Sequence, residues 1–151
     1  MDDPHTSSKA VLAVLSVYLK VCAELNHFRD AAAEAATTIN ALLGDLGGLR
    51  RVLESMEVTF YEVDDSTAGK RPAHVGSCWH NLVEALNDGS AALTDFDKLL
   101  HGLNKEFRRL DESQRHARAQ SAATKIALFR PQVQAYTDTL QLSLLTMILF
   151  V

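Results

Sequence analysis

Residues 28–60 read FRDAAAEAATTINALLGDLGGLRRVLESMEVTF, and the spacing of the apolar and small side chains in this stretch decides the fold. These side chains recur at alternating intervals of four and three, which places them along one face of an α-helix. The stretch therefore predicts one long helix with a core-facing stripe. The members of this first stripe are Phe28, Ala32, Ala35, Ile39, Leu42, Leu46, Leu49, Leu53, Met56 and Phe60.

Three glycines, Gly44, Gly47 and Gly48, interrupt the first stripe. A glycine inside a helix costs about 0.5–1 kcal/mol relative to alanine. We therefore expect either a bend in the helix or the close approach of another helix at this point.

Two further stripes follow, after a polar segment without period, Asp64–Gly76, that reads as a loop. Ser77 is the expected N-cap of the helix that carries the second stripe, and Asp111 or Ser113 that of the next. The second stripe consists of Trp79, Leu82, Leu86, Gly89, Leu93, Phe96, Leu100, Leu103, Phe107 and Leu110. The third consists of Ala119, Ala122, Ile126, Phe129, Val133, Tyr136, Leu140, Leu144, Met147 and Val151.

Pro131 lies inside the third stripe and lacks the backbone N–H that a helix interior needs. The proline predicts a kink or a restart of the helix, and it suits a restart with Pro131 as the first helical residue.

A fourth helix is predicted over Ala10–Leu25, AVLAVLSVYLKVCAEL, which is apolar on nearly all sides. Such a helix is either buried on most sides or made to meet lipid. The run is short of the roughly 20 apolar residues of a membrane span, because Lys20 and Glu24 interrupt it. The acidic leader before it, MDDPHTSSK, is unlike the basic start of a signal peptide.

Four helical segments in 151 residues predict an all-α fold, a four- to five-helix bundle with long heptad-patterned helices. We expect residues 1–151 to form a single domain, the N-terminal part of a longer multidomain protein. Two cysteines and no Asn-x-Ser/Thr sequon indicate a reducing, intracellular compartment.

The sequence contains none of the motifs that mark common catalytic or cofactor sites, such as G-x-S-x-G, H-E-x-x-H, G-x-G-x-x-G or C-x-x-C. We therefore expect a protein that is not an enzyme and has no cofactor. One alternative stays open, because His74, Cys78 and His80 lie close together and metal sites use such residues. The carboxylate pairs Asp64-Asp65 and Asp95-x-Asp97 are interpreted as surface residues.

Charge is distributed unevenly along the chain. Residues 101–130 carry seven cations and three carboxylates, whereas residues 1–100 carry eight cations and fifteen carboxylates. The basic stretch is either a solvated face or a surface for anionic lipid or an acidic partner domain. Nucleic acid is not expected, because the pI is about 5.8. The candidate cations are Lys105, Arg108, Arg109, Arg115, Arg118, Lys125 and Arg130.

The order of these segments resembles the HeLo-like family, the fungal N-terminal domain of STAND-type receptors and related cell-death proteins. The resemblance covers nearly the whole chain and rests on diffuse helical patterns: the apolar helix Ala10–Leu25, the segment LLGDLGGLRRVLESME at Leu42–Glu57, Cys78-Trp79, and the closing helix Gln134–Thr146.

The resemblance implies a four-helix bundle that executes regulated cell death, including heterokaryon incompatibility and innate immunity. Such domains oligomerise on activation, move from the cytoplasm to the plasma membrane and permeabilise it. It also implies an attached nucleotide-binding, repeat or amyloid-motif region. The helix that inserts maps by position onto Ala10–Leu25. The candidates for insertion are Val11, Leu12, Val14, Leu15, Val17, Tyr18, Leu19, Val21 and Leu25.

The leading hypothesis is thus an effector domain whose partners are anionic membrane lipids and further copies of itself. At rest we expect Ala10–Leu25 to pack against the stripes that contain Leu46, Leu49, Leu86 and Leu140, and to leave on activation. Lys20, Glu24 and the acidic leader are expected to limit insertion. The alternative is a helical interaction and oligomerisation module of a STAND receptor without pore activity.

Overall fold

The computed structural model of the chain describes the backbone of residues 4–66 and 73–150, and the side chains of residues 6–62 and 79–149. All elements in these ranges are helical, which confirms the all-α bundle. In chain order they are α1 (Pro4–Ala31), a 3-10 turn (Ala33–Ala35), α2 (Ala36–Ser66), α3 (Ala73–Arg108), α4 (Glu112–Ala127) and α5 (Phe129–Phe150).

The long helices α1, α2, α3 and α5 occupy the four corners of the bundle. Both α1 and α5 pack against α2 and α3, so α1 and α5 lie on one diagonal and α2 and α3 on the other. Helices α2 and α3 meet across the centre, where the rings of Phe60 and Trp79 have centroids 5.0 Å apart. The expected packing of α1 is therefore correct for the stripes of α2 and α3, but Leu140 lies on the diagonally opposite helix.

The neighbouring helices α1 and α3 run parallel, whereas the neighbouring helices α3 and α5 run antiparallel. Helix α1 is parallel to α3, because Glu24 contacts Asn104 and, one turn on, Phe28 contacts Phe107. Helix α5 is antiparallel to α3. Phe129 at the start of α5 stacks on Phe96, with ring centroids 3.9 Å apart, whereas Tyr136, further along α5, contacts Leu86, earlier in α3. The start of α1, the end of α2, the start of α3 and the end of α5 consequently lie at the same end of the bundle, called the amino end below.

The three stripes supply one continuous core, as the spacing predicts. Every residue of the first stripe is buried, and so is every residue of the second except Leu110, which is half-buried. In the third stripe Phe129 and Tyr136 are half-buried, and Val151 lies outside the described residues.

The first stripe does not belong to one helix, so that part of the prediction is wrong. Helix α1 ends at Ala31, Ala32 has φ −139° and ψ 78°, and the 3-10 turn leads into α2. The backbone N–H of Ala35 donates to the Ala32 carbonyl over 3.0 Å. Because Ala32 and Ala35 are small, the chain reverses at this point without leaving the core.

The expected loop Asp64–Gly76 is too long at both ends. Helix α2 continues through Ser66 and α3 begins at Ala73, so Ser77 lies within α3 and is not its N-cap. Polar residues lower helix propensity by only a few tenths of a kcal/mol each, and extending a formed helix costs little. Residues 67–72 lie outside the described backbone.

The start of α4 is capped by Asp111, one of the two expected residues. The Asp111 carboxylate accepts from the Gln114 N–H over 2.8 Å, and the Gln114 side chain accepts from the Asp111 N–H over 3.0 Å. The predicted restart also occurs, since only Leu128 separates α4 from α5. Pro131 is the third residue of α5, not its first, a position at which no helical hydrogen bond is lost.

The close approach expected at the glycines of α2 is found elsewhere. A Cβ added at Gly44 or Gly47 would meet nothing within 4 Å, whereas one at Gly89 would lie 1.6 Å from Cζ of Tyr136. The Tyr136 hydroxyl donates to the Leu86 carbonyl over 3.2 Å, and burial raises the pKa of the phenol. The absence of a side chain at Gly89 therefore allows the Tyr136 ring of α5 to pack directly against the backbone of α3.

Gly89→Ala is expected to destabilise the bundle by about 1–3 kcal/mol, because the new methyl group overlaps the Tyr136 ring. Gly44→Ala is the matched control, and it should raise stability by about 0.5–1 kcal/mol because it meets open space. Urea denaturation followed by circular dichroism measures both. A Gly89→Ala protein as stable as the parent would contradict the proposed packing.

Candidate functional site

The structure divides the insertion candidates of α1 between its inner and outer faces. Val11, Val14, Tyr18, Val21 and Leu25 are buried in the core, whereas Leu15 and Val17 are half-buried. Leu12 is 55% exposed and Leu19 is 64% exposed. The solvent side of α1 therefore combines the apolar Leu12 and Leu19 with polar residues such as Lys20 and His27.

A polar cluster of Glu24, His101 and Asn104 joins α1 to α3. The Asn104 amide donates to the Glu24 backbone carbonyl over 3.0 Å and to its Oε2 over 2.5 Å. His101 Nδ1 lies 3.2 Å from Oε1 of the same carboxylate. These three residues, called the α1–α3 cluster, connect helices that are otherwise held together largely by apolar packing.

Asn104 is nearly fully buried, with 2% of its surface exposed. Its two N–H bonds are used, but its Oδ1 has no hydrogen-bond partner among the residues that the structure describes. An unsatisfied buried acceptor costs about 1–3 kcal/mol. The α1–α3 cluster thus fixes the register of the two helices while giving up part of the stability of an apolar contact.

A groove of about 400 Å³ runs along the solvent side of the α1–α3 cluster. Its walls carry charges of both signs, from Lys20, Glu24, Asp97 and Arg108, together with His27 and His101. Water consequently reaches the edge of the cluster from the groove, and the Glu24 side chain is itself 25% exposed.

Asn104 is not among the site residues predicted from the sequence. The signal was available, because an asparagine follows Leu103 next to the second stripe and three residues before Phe107, where an apolar or small residue is usual. Its partner Glu24 had been noted only as an interruption of the apolar helix.

On the opposite side of α1, Tyr18 and Cys22 face Arg50 of α2. Burial raises the pKa of the Cys22 thiol and that of the Tyr18 phenol. A thiol that resists ionisation is a poor nucleophile, so Cys22 has a packing role. Arg50 also pairs with Glu54, 2.8 Å away.

The basic stretch 101–130 does not form a uniform basic surface. Arg118 pairs with Glu106 over 2.5 Å and Arg130 with Asp45 over 2.7 Å, while Arg115 donates to a backbone carbonyl. Four exposed cations have no carboxylate within salt-bridge distance among the described side chains: Lys105, Arg108, Arg109 and Lys125. These four are the exposed cations of the stretch that can contact an anionic surface without first breaking an ion pair.

Four large exposed apolar side chains lie close together on α5, at the amino end of the bundle. Leu142, Leu145, Ile148 and Leu149 are between 52% and 80% exposed, and no charged residue follows Asp138. We call these four residues the α5 leucine face. Sequence periodicity assigned only the inner side of this helix and overlooked its outer side.

Among the described side chains, no group of three or more potential metal ligands occurs. The side chains of His74 and Cys78 lie outside the described residues, and His80 is exposed, 3.9 Å from Glu84. A polar cleft of about 830 Å³ lies where the 3-10 turn meets α4 and includes the ion pair between Glu34 and His116.

Within residues 4–66 and 73–150, none of the helices has the length and hydropathy needed to span a bilayer.

Stability should depend on pH through Glu34, whose pKa is lowered chiefly by the hydrogen bond with His116. A lowered pKa means that its contribution is complete above the ordinary value of 4.5 and disappears as the pH falls through the folded value. Glu34→Gln should therefore lower the urea midpoint slightly at pH 6, and the difference from the parent should shrink as the pH falls below 4.5.

Asp95→Asn is the control for this experiment, because Asp95 is exposed and its carboxylate has no ion-pair partner among the described side chains. A difference between parent and Glu34→Gln that persists unchanged at pH 3 would refute the assignment to the carboxylate.

Comparisons with known proteins give no relative for this chain. No family model matches it, and neither a curated protein nor a solved structure is detectably similar. The resemblance to HeLo-like domains therefore stays a prediction from the segments quoted above.

Proposed function

We propose that the chain is a non-enzymatic effector domain of regulated cell death that self-associates and acts on the plasma membrane. The proposal rests on the resemblance to HeLo-like domains and on one structural observation. Helix α1 is apolar on its core side and also carries two exposed leucines, Leu12 and Leu19, on its solvent side. On activation, α1 leaves the bundle and presents its inner and outer apolar residues to lipid.

The polar residues of α1 are consistent with conditional insertion. Lys20 and Glu24 keep the apolar run shorter than a stable span, so a single copy of α1 binds lipid weakly. Clustering of several copies multiplies weak contacts into stable attachment. The four unpaired cations, Lys105, Arg108, Arg109 and Lys125, add attraction to anionic headgroups, at about 1 kcal/mol for each cation near the surface.

Replacing Leu12 and Leu19 together by glutamate tests the role of α1. Both side chains are exposed, so the bundle is expected to remain folded. An acidic residue at the membrane centre costs about 3 kcal/mol, so dye leakage from vesicles containing phosphatidylserine should fall at least tenfold.

The matched control is Leu128→Glu combined with Val58→Glu, which places the same two charges on comparably exposed apolar residues outside α1. It should leave leakage close to that of the parent. The membrane role of α1 would be refuted if the parent protein caused no leakage from these vesicles, or if the α1 variant caused as much leakage as the parent.

The α5 leucine face favours a second candidate function, a helical oligomerisation module without pore activity. Contiguous exposed apolar patches on soluble proteins often mark interaction sites. This patch carries no charge, so two copies of it meet without repulsion. Self-association by this face needs neither lipid nor the release of α1.

Leu142→Glu combined with Leu149→Glu should shift the chain from oligomer to monomer in lipid-free buffer, because like charges would then face each other across the contact. Light scattering after size exclusion measures the mass, and Leu12→Glu with Leu19→Glu serves as the control. An unchanged mass would exclude the α5 leucine face from self-association.

A further inference from the structure

We infer that Glu24 and Asn104 form a release latch, a partly buried polar pair that holds α1 in one register on α3 but makes its detachment easier than an apolar contact would. The inference concerns how α1 is regulated, and it rests on the proposed function only for the consequence of release. The first reason is location, because the pair lies between α1 and α3 at the only place where the two helices exchange side-chain hydrogen bonds within the described residues.

The second reason is incomplete satisfaction. The Asn104 amide group donates twice to Glu24, but its Oδ1 lacks a partner among the described residues. When α1 leaves, this oxygen gains water as a partner. Hydration of this oxygen therefore offsets part of the cost of detachment.

The third reason is access. The groove lined by Lys20, His27, Asp97 and Arg108 brings solvent to the outer side of the Glu24 carboxylate. His101 contacts the same carboxylate from α3 and is itself 65% exposed. Water in the groove therefore has access to the latch while α1 is still packed on α3.

A latch differs from a simple stabilising pair in its response to mutation. Removing one partner leaves the other buried without its hydrogen bonds, so Glu24→Leu alone should speed the opening of α1. Replacing both partners by leucine restores an apolar contact, which in buried polar pairs is often neutral or stabilising. The double variant Glu24→Leu with Asn104→Leu should therefore hold α1 more tightly than the parent does.

Hydrogen exchange measured by mass spectrometry tests this directly, because it reports the opening of each helix separately. Exchange of α1 amides should be at least about tenfold slower in the double variant than in the parent, and faster in Glu24→Leu. Asn87→Leu, an exposed asparagine of α3, is the matched control and should change α1 little.

Two outcomes would overturn the latch: exchange of α1 in the double variant that equals or exceeds that of the parent, or a double variant that does not fold, since the pair would then be required for the fold. Vesicle leakage by the same proteins separates this inference from the proposed function. Slower α1 exchange with reduced leakage supports both, whereas slower exchange with unchanged leakage retains the latch and refutes insertion by α1.

Discussion

Parallel packing of α1 on α3 is the constraint on which the rest of the bundle depends. These two helices share the most extensive interface in the fold. The ring of Phe28 contacts the ring of Phe107, which joins the last turn of α1 to the last turn of α3. Helix α2 lies antiparallel beside α1, and α5 lies antiparallel beside α3. The reversal at Ala32 and the admission of Tyr136 at Gly89 are the local adjustments that this arrangement requires.

Parallel neighbours place the negative ends of two helix dipoles side by side, and the sequence compensates for this with charge. Arg29 lies in the last turn of α1, and Lys105 and Arg108 lie in the last turn of α3. Cations at helix C-termini stabilise by about 0.3–1 kcal/mol each when exposed. Part of the basic stretch therefore has a structural role, which supports the solvated-face interpretation for Lys105 and Arg108 as much as a role in binding.

The apolar spacing was sufficient to predict the helices and nearly all of the core. It failed at chain reversals, because a period of four and three continues through Ala32 and Ala35 although the helix does not. The predicted N-cap at Ser77 and the predicted ends of the loop Asp64–Gly76 were wrong for a related reason, since local polarity says little about where a long helix stops. The cap at Asp111 succeeded because a capping box is a property of four consecutive residues.

The candidate site was predictable only in part, because periodicity describes positions and not partners. Glu24 reads as an interruption of an apolar helix until its distance to Asn104 is known, and Arg130 reads as a surface cation until Asp45 is found beside it. The pairing of Glu24 with Asn104 depends on the parallel arrangement of α1 and α3, which no local pattern encodes. Glu24 therefore has two effects: it shortens the apolar run, and it accepts the hydrogen bonds of Asn104 that join α1 to α3.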